Sequence, residues 1–337
     1  MKLIIKKKPV KSTYSYDPCR DGVSQSMLGA WLECREKSRI NLLLGWSSGG
    51  VSKPFTFGTL SHGVLDHYYN GIRLGKIKKL DDALHAFPAW MKLSEAAWRK
   101  ENPRANTAAK DLLEECISIA QEVLPRYMQQ WHVEDTSVRW THVETEFKVP
   151  LTMKDGKVVH MRGKVDGAFV NKRNHLLLFE TKNKSQWSER IGEYLPLDLQ
   201  LGYYLTGLAA TTGDDPWGVR YNLIRRPGER RGKTENLKAF CQRIGENIGK
   251  KPDHYYQRLE VQLTTQEKDE QKFRAQKLVE EFYAWFKTTD KTKRDLMWNS
   301  GACENKYGTC GNLSICANQD FSNHRIRDVV SPELAAE

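Results

Sequence analysis

The stretch LLLFETKNKSQW, residues 176–187, places Glu180 and Lys182 two residues apart at the end of an apolar run. Side chains alternate along a strand, so Leu176, Leu178, Glu180 and Lys182 share one face while Leu177, Phe179 and Thr181 share the other. A carboxylate and an ammonium so placed form either a satisfied ion pair or half of a metal site that cuts phosphodiesters. Asp166, in RGKVDGAF and flanked by Gly163 and Gly167, ends the preceding expected strand. A short turn then brings Asp166, Glu180 and Lys182 to one end of a sheet. Two carboxylates can hold Mg²⁺ or Mn²⁺, hard cations that keep several waters, one of which can act as nucleophile. Lys182 is expected to position that water and to offset charge developing at phosphorus. Taken alone, an Asp between glycines also suits a bare turn.

The elements that must position these groups follow from hydrophobic spacing. Residues 24–46 read as one helix capped by Ser24 or Ser26, with Cys34 near its middle. A second helix opens at GTLSHGVLDHYYNGI, and further helices cover residues 80–100 and 106–131. The period then falls to two. In THVETEFKVPL, Val143, Thr145, Phe147 and Val149 alternate with Glu144, Glu146 and Lys148. A turn at 154–156 leads to KVVHMRGKVDGAFV, and NKRNH turns the chain into LLLFETK, giving a three-stranded antiparallel meander. LDLQLGYYLTGLAAT returns to helical spacing, PWGVRYNLIRR reads as a strand, RRPGERRGK as a basic loop, and residues 264–289 as a long helix. The closing SPELAAE reads as a frayed end.

VDGAFVNKRNHLLLFETKNKS resembles the signature of PD-(D/E)XK nucleases, in which an Asp, then a Glu, any residue and a Lys form the active site. FGTLSHGVLDHYY resembles the helix of the RecB-like branch, where a Gly precedes a metal-ligating His, and QLGYY resembles its downstream Q-x-x-x-Y helix. The resemblance implies Asp166 and Glu180 as metal ligands, Lys182 as catalytic base or charge stabiliser and His62 as a further ligand, with the Thr181 carbonyl also within reach. Gln200 and Tyr204, one helical turn apart, are expected to orient Lys182 or touch DNA. Where relatives carry Glu after the His, this chain has Asp66. The fold implied is α/β, a mixed core sheet sandwiched by helices. It forms one domain over 1–337, with a helical insertion at about 70–135 and a Cys-rich segment at 300–320.

ACENKYGTCGNLSICA spaces Cys303, Cys310 and Cys316 closely, and Cys34 lies far upstream. In RecB-like nucleases with an iron–sulfur cluster, one Cys before the core and three after it hold a [4Fe–4S] centre. The resemblance gives Cys34, Cys303, Cys310 and Cys316 that role, with zinc on the same thiolates as the alternative. The gap of six residues between Cys303 and Cys310 departs from the shorter spacing of relatives. Cys19, Cys116 and Cys241 read as spare thiols.

With 337 residues and 10 Trp the chain can bury a substantial core, and 53 Lys+Arg against 42 Asp+Glu give a net charge of +11 that suits a polyanion. MKLIIKKKPVKS is too short in apolar residues for a secretory signal, and no window reaches the length of a membrane span. A cytoplasmic protein of a bacterial cell or its phage is expected, and in that compartment seven Cys point to metal rather than disulfides. The function expected is a Mg²⁺- or Mn²⁺-dependent DNA nuclease, an exonuclease of recombination, repair or phage DNA processing that works with a recombination or replication protein. The alternative is an inactive nucleic-acid-binding or assembly subunit with the same fold.

Overall fold

The computed structural model describes residues 14–48, 50–305 and 308–327. The basic opening segment and SPELAAE lie outside them. At the centre is a five-stranded mixed sheet of Arg139–Thr152 (β1), Val158–Val170 (β2), Leu176–Lys184 (β3), Gly218–Arg225 (β4) and Tyr256–Gln262 (β5), ordered β1-β2-β3-β4-β5. β3 and β4 run parallel and the other pairs antiparallel. The expected meander is thus β1 to β3. Its first turn is closed by Gly156 at φ +79° and its second by Asn174 at φ +62°. Asn171 braces the second turn, its side-chain oxygen accepting from the N–H groups of Arg173 and His175.

Helices cover both faces. Lys53–Arg73 (α1), Leu80–Glu101 (α2), Thr107–Thr136 (α3) and Leu237–Lys250 (α4) share one core with Trp140, Phe169, Leu177 and Phe179. Leu199–Thr212 (α5) and Thr265–Thr288 (α6) share the other with Phe147, Leu178, Val219 and Leu223. Leu177, Leu178 and Phe179 alternate between the two cores as strand geometry requires, each buried to within 1 %. At about 1.5–3 kcal/mol for each such side chain, this double burial fixes the register of β3, and with it the face of Glu180 and Lys182. α5 starts where the Asp198 carboxylate accepts from the Gln200 N–H, and it ends at Gly213 with φ +75°. It lies so close to α6 that a Cβ on Gly202 would sit 2.1 Å from the Gln271 carbonyl oxygen.

Three sequence expectations change. The helix expected over 24–46 breaks at Cys34: Gln25–Glu33 is α-helical, Cys34 is extended, and Arg35–Ser38 and a π-turn at Arg39–Leu43 follow. The break lets Glu36 and Arg39 form a buried ion pair at 2.7 Å, whose carboxylate also accepts from the Asp295 N–H. The uniform alternation expected from Val143 to Phe147 is also broken, since Val143 packs in the first core and Phe147 in the second. Glu144, between them, has φ +46°, a left-handed conformation that reverses the strand's facing. Third, YQRLEVQ, to which the hydrophobic spacing assigned no element, is a full strand at the sheet edge. Its Arg258, 5 % exposed, pairs at 2.7 Å with Asp135, 1 % exposed, and donates to Tyr127, locking the edge strand onto α3.

Candidate active site

The sheet brings the chemistry-bearing residues to the ends of β2 and β3. Asp166 precedes Gly167, which pairs with Phe179, so Asp166 faces Glu180 across the ladder. Its Oδ2 accepts from the Thr181 N–H at 2.7 Å, which fixes the carboxylate against the neighbouring strand. His62, from the middle of α1, presents Nδ1 at 3.5 Å from Asp166 Oδ1. Gly58 lies one turn before it on the same helix face, and a Cβ there would meet nothing within 4 Å. That glycine leaves the approach to His62 open.

Glu180 is only 4 % exposed. Its Oε1 lies 3.2 Å from Lys182 Nζ, and its Oε2 is buried with no hydrogen-bond partner. Lys182 is held by three acceptors, the Asp198 carboxylate at 3.4 Å, Glu180 and the Gln200 side-chain oxygen. Gln200 and Tyr204 share one side of their helix, packed with Glu180, Lys182 and Tyr221 around a gap too small for a water molecule. Gln200 orients the lysine, and Phe147 packs edge-on against Tyr204. Thr181 points to the opposite face, where Oγ1 accepts from Asn222. Asp66 accepts from Asn70 one turn along the helix.

Burial, then the charge of Glu144, raises the Asp166 carboxyl well above the usual carboxylate range. Burial, then Asp166, pushes Glu180 up to about 8. For Lys182 burial acts to lower the ammonium, but Glu180, Asp198 and Asp166 outweigh it and hold the pKa above its ordinary value. Burial holds the His62 imidazole below its ordinary value against the pull of Glu144 and Glu180, leaving a neutral ring with a free lone pair.

Among the described residues, the set of three His, Cys, Asp or Glu ligand atoms lying within 4.8 Å of one another is His62, Glu144 and Asp166. Sequence reasoning had paired His62 and Asp166 with Glu180 and read Glu144 only as a strand residue. Its alternation placed Glu144 on the face opposite Val143, but nothing in the sequence marked the left-handed kink. The donor set, carboxylate oxygens and one imidazole, suits a hard divalent cation. Glu180's unpartnered buried oxygen is the kind of atom such a cation satisfies.

The thiols are distributed differently. Cys34, beside the helix break, accepts from the Asn299 N–H at 3.4 Å, and the Cys303 thiol donates to the Asn299 carbonyl at 3.9 Å. The Cys310 N–H donates to the Cys303 carbonyl at 2.8 Å. Burial pushes the Cys316 thiol up to about 11, with Glu36, Cys310 and Cys34 adding to the rise. Asn41 and Asn312, and the strand pair Trp46–Ser47 with Arg325–Ile326, join the same two segments. The upstream and downstream Cys regions therefore meet, although no three sulfurs of described cysteines lie within 4.8 Å. Cys116 and Cys241 are buried elsewhere, in the first core.

No protein of curated function matches the chain by sequence. Among solved structures it is similar to SSO0001, at 12% identity and a TM-score of 0.30, covering 58% of this chain and 72% of that one. It is also similar to a protein of Eubacterium rectale provisionally named an exonuclease, at 12% identity and a TM-score of 0.40, covering 82% and 88%. The family model of the PD-(D/E)XK nuclease superfamily matches residues 22–317, which hold β1 to β5, His62, Asp166, Glu180 and Lys182. With a match over most of its length, the chain belongs to the PD-(D/E)XK nuclease superfamily.

Proposed function

We propose that this chain is a divalent-metal-dependent deoxyribonuclease of the RecB-like branch, cutting DNA from its ends. The observation that carries the reading is Glu180: a carboxylate buried beside Asp166, one oxygen on Lys182 and the other without a partner. That oxygen lies on the strand beside Asp166, where a cation shared by the two carboxylates would satisfy it. Asp166, Glu180, His62 and the Thr181 carbonyl would hold Mg²⁺ or Mn²⁺, which when bound supplies Lewis acidity and lowers the pKa of a water. Asp166 is kept in place by the Thr181 N–H. Lys182, an ammonium steadied by Glu180, Asp198 and Gln200, offsets charge on the attacked phosphate. The net charge of +11 supports DNA as the polyanion bound. Intact Asp166, Glu180 and Lys182 favour turnover over a binding-only subunit.

Cys34, Cys303, Cys310 and Cys316 are read as ligands of a [4Fe–4S] cluster. The support is that the structure joins the two segments carrying them, and that a four-iron cluster spaces its thiolates more widely than a single zinc ion does. The described residues contain no helix long and apolar enough to cross a membrane. We read the chain as one nuclease domain with its helices from about 70 to 135 inserted, acting in the cytoplasm in recombination, repair or phage DNA processing beside a recombination or replication protein.

The test is incubation with end-labelled linear and closed circular DNA in Mn²⁺, Mg²⁺ or chelator. Metal-dependent loss of linear DNA with circles spared is expected. Equal cutting of circles would replace the exonuclease by an endonuclease.

A further inference from the structure

The unexplained feature nearest the site is Glu144. A glutamate with φ +46° inside a long strand is unusual, because a side chain in the left-handed region meets its own backbone. Residues held in such conformations cluster at functional sites, where the surrounding structure imposes them. The register shows where this one stands. Val143 pairs with Gly167 and Thr145 with Val165, so Glu144 stands directly opposite Asp166. The kink occurs at that point, and the two strands change cores there, from Val143 to Phe147 on β1 and from Phe169 to Val165 on β2. Directly opposed residues share a face of the sheet, so the register sets Glu144 beside Asp166 and, one strand further, Glu180. As folded, its ligand atom lies within 4.8 Å of those of His62 and Asp166, with the unpartnered oxygen of buried Glu180 on the adjoining strand. The cation already in contact with Glu144 is Lys164, two residues before Asp166 on β2 and half exposed at 49 %. Glu146, two residues further along β1, is exposed and lies opposite Lys164 in the register.

We propose that Glu144 is a further ligand of the metal site, set beside Asp166 by the register of β1 on β2, and that Lys164 is the counter-ion that holds it until a divalent cation arrives. This rests on the nuclease reading for the metal and adds to it a residue from the first strand. Three carboxylates and an imidazole then surround the cation, and Lys164, released from sole pairing with Glu144, is left at the open side of the site.

The experiment is Mn²⁺ binding to the full chain, followed by loss of the free-Mn²⁺ electron paramagnetic resonance signal, with no DNA and no turnover. Wild type is expected to bind, Asp166→Asn to fail, and Glu144→Gln to bind about tenfold or more weakly, as loss of a metal-site partner commonly does. Glu146→Gln should bind as wild type, and Lys164→Met more tightly, since a competing ammonium is gone. Glu144→Gly guards against a folding artefact. Glycine suits the left-handed backbone, so this variant should melt no lower than wild type without metal, yet lose Mn²⁺ affinity. Wild-type affinity in Glu144→Gln and Glu144→Gly, with Asp166→Asn defective, would overturn the role of Glu144 while leaving the nuclease reading standing. Weaker binding in Lys164→Met would overturn the exchange. If wild type bound no Mn²⁺, the nuclease reading itself would fall.

Discussion

Replacing Glu180 by Gln should stabilise the protein when metal is absent, although it removes a residue on which activity depends. Glu180 is buried next to Asp166, and burial followed by that neighbour's charge raises its carboxyl from 4.5 to about 8, even with Lys182 nearby. Between those values the folded chain holds a proton that the unfolded chain has released. Stability is therefore full below about pH 4.5 and falls as pH rises toward 8. At about 1.4 kcal/mol per pH unit, the loss from this group by pH 7 is about 3 kcal/mol. A neutral Gln does not pay that cost, but it buries an amide and deprives Lys182 of one anion, so we expect a net gain of about 1–3 kcal/mol. In a chain of 337 residues that is a rise in Tm of roughly 1–4 °C. The assay is thermal melting of chelator-treated wild type and Glu180→Gln at pH 5 and pH 8. The variant should melt higher at pH 8 and gain little or nothing at pH 5, and Mn²⁺ at pH 8 should raise wild type far more than the variant. A metal-free Glu180→Gln protein that melts below wild type at pH 8 would refute the reasoning, because the carboxylate would then be a net stabilising partner.

Gly202→Ala should cost about 1–3 kcal/mol or more by forcing α5 from α6, since its Cβ would lie 2.1 Å from a backbone oxygen. Gly58→Ala has open space around it and should gain up to about 1 kcal/mol from helix propensity, and urea unfolding of the two variants tests the contrast. Arg258→Met leaves Asp135 buried without its partner and should cost about 3–5 kcal/mol by the same measurement. Ser in place of Cys34, Cys303, Cys310 or Cys316 should bleach the brown colour of anaerobically purified protein and lower its Tm, while Cys116→Ser should leave the colour unchanged. Zinc at one per chain without iron, found by metal analysis, would replace the cluster by a zinc site.

What was legible in the sequence was whatever strict periodicity encodes. LLLFETK alternates between two cores, so the common face of Glu180 and Lys182 followed from period two alone, and helical spacing put Gln200 and Tyr204 on one face. The meander and the positions of the helices followed likewise, while the sandwiching of the sheet by those helices came only from the resemblance to a nuclease family. What was hidden depends on contacts distant in sequence. The break at Cys34 serves a buried Glu36–Arg39 pair that is completed by Asp295, so local helix propensity misread it. β5 is half-polar because Arg258 finds Asp135 on α3, a partner invisible to a pattern read along one segment. Glu144 was concealed most thoroughly. Its strand pattern looked regular, and nothing in it marked a non-glycine residue at positive φ or a partner on the neighbouring strand.

The most direct measurement is the metal-dependent cleavage of end-labelled linear DNA by wild type beside Asp166→Asn, Glu180→Gln and Lys182→Met, with DNA binding followed in parallel. Cleavage by wild type only with Mn²⁺ or Mg²⁺, lost in all three variants while binding through distributed Lys and Arg contacts persists, is the expected result. Full cleavage by any one of the three, or by wild type in excess chelator, would contradict the site.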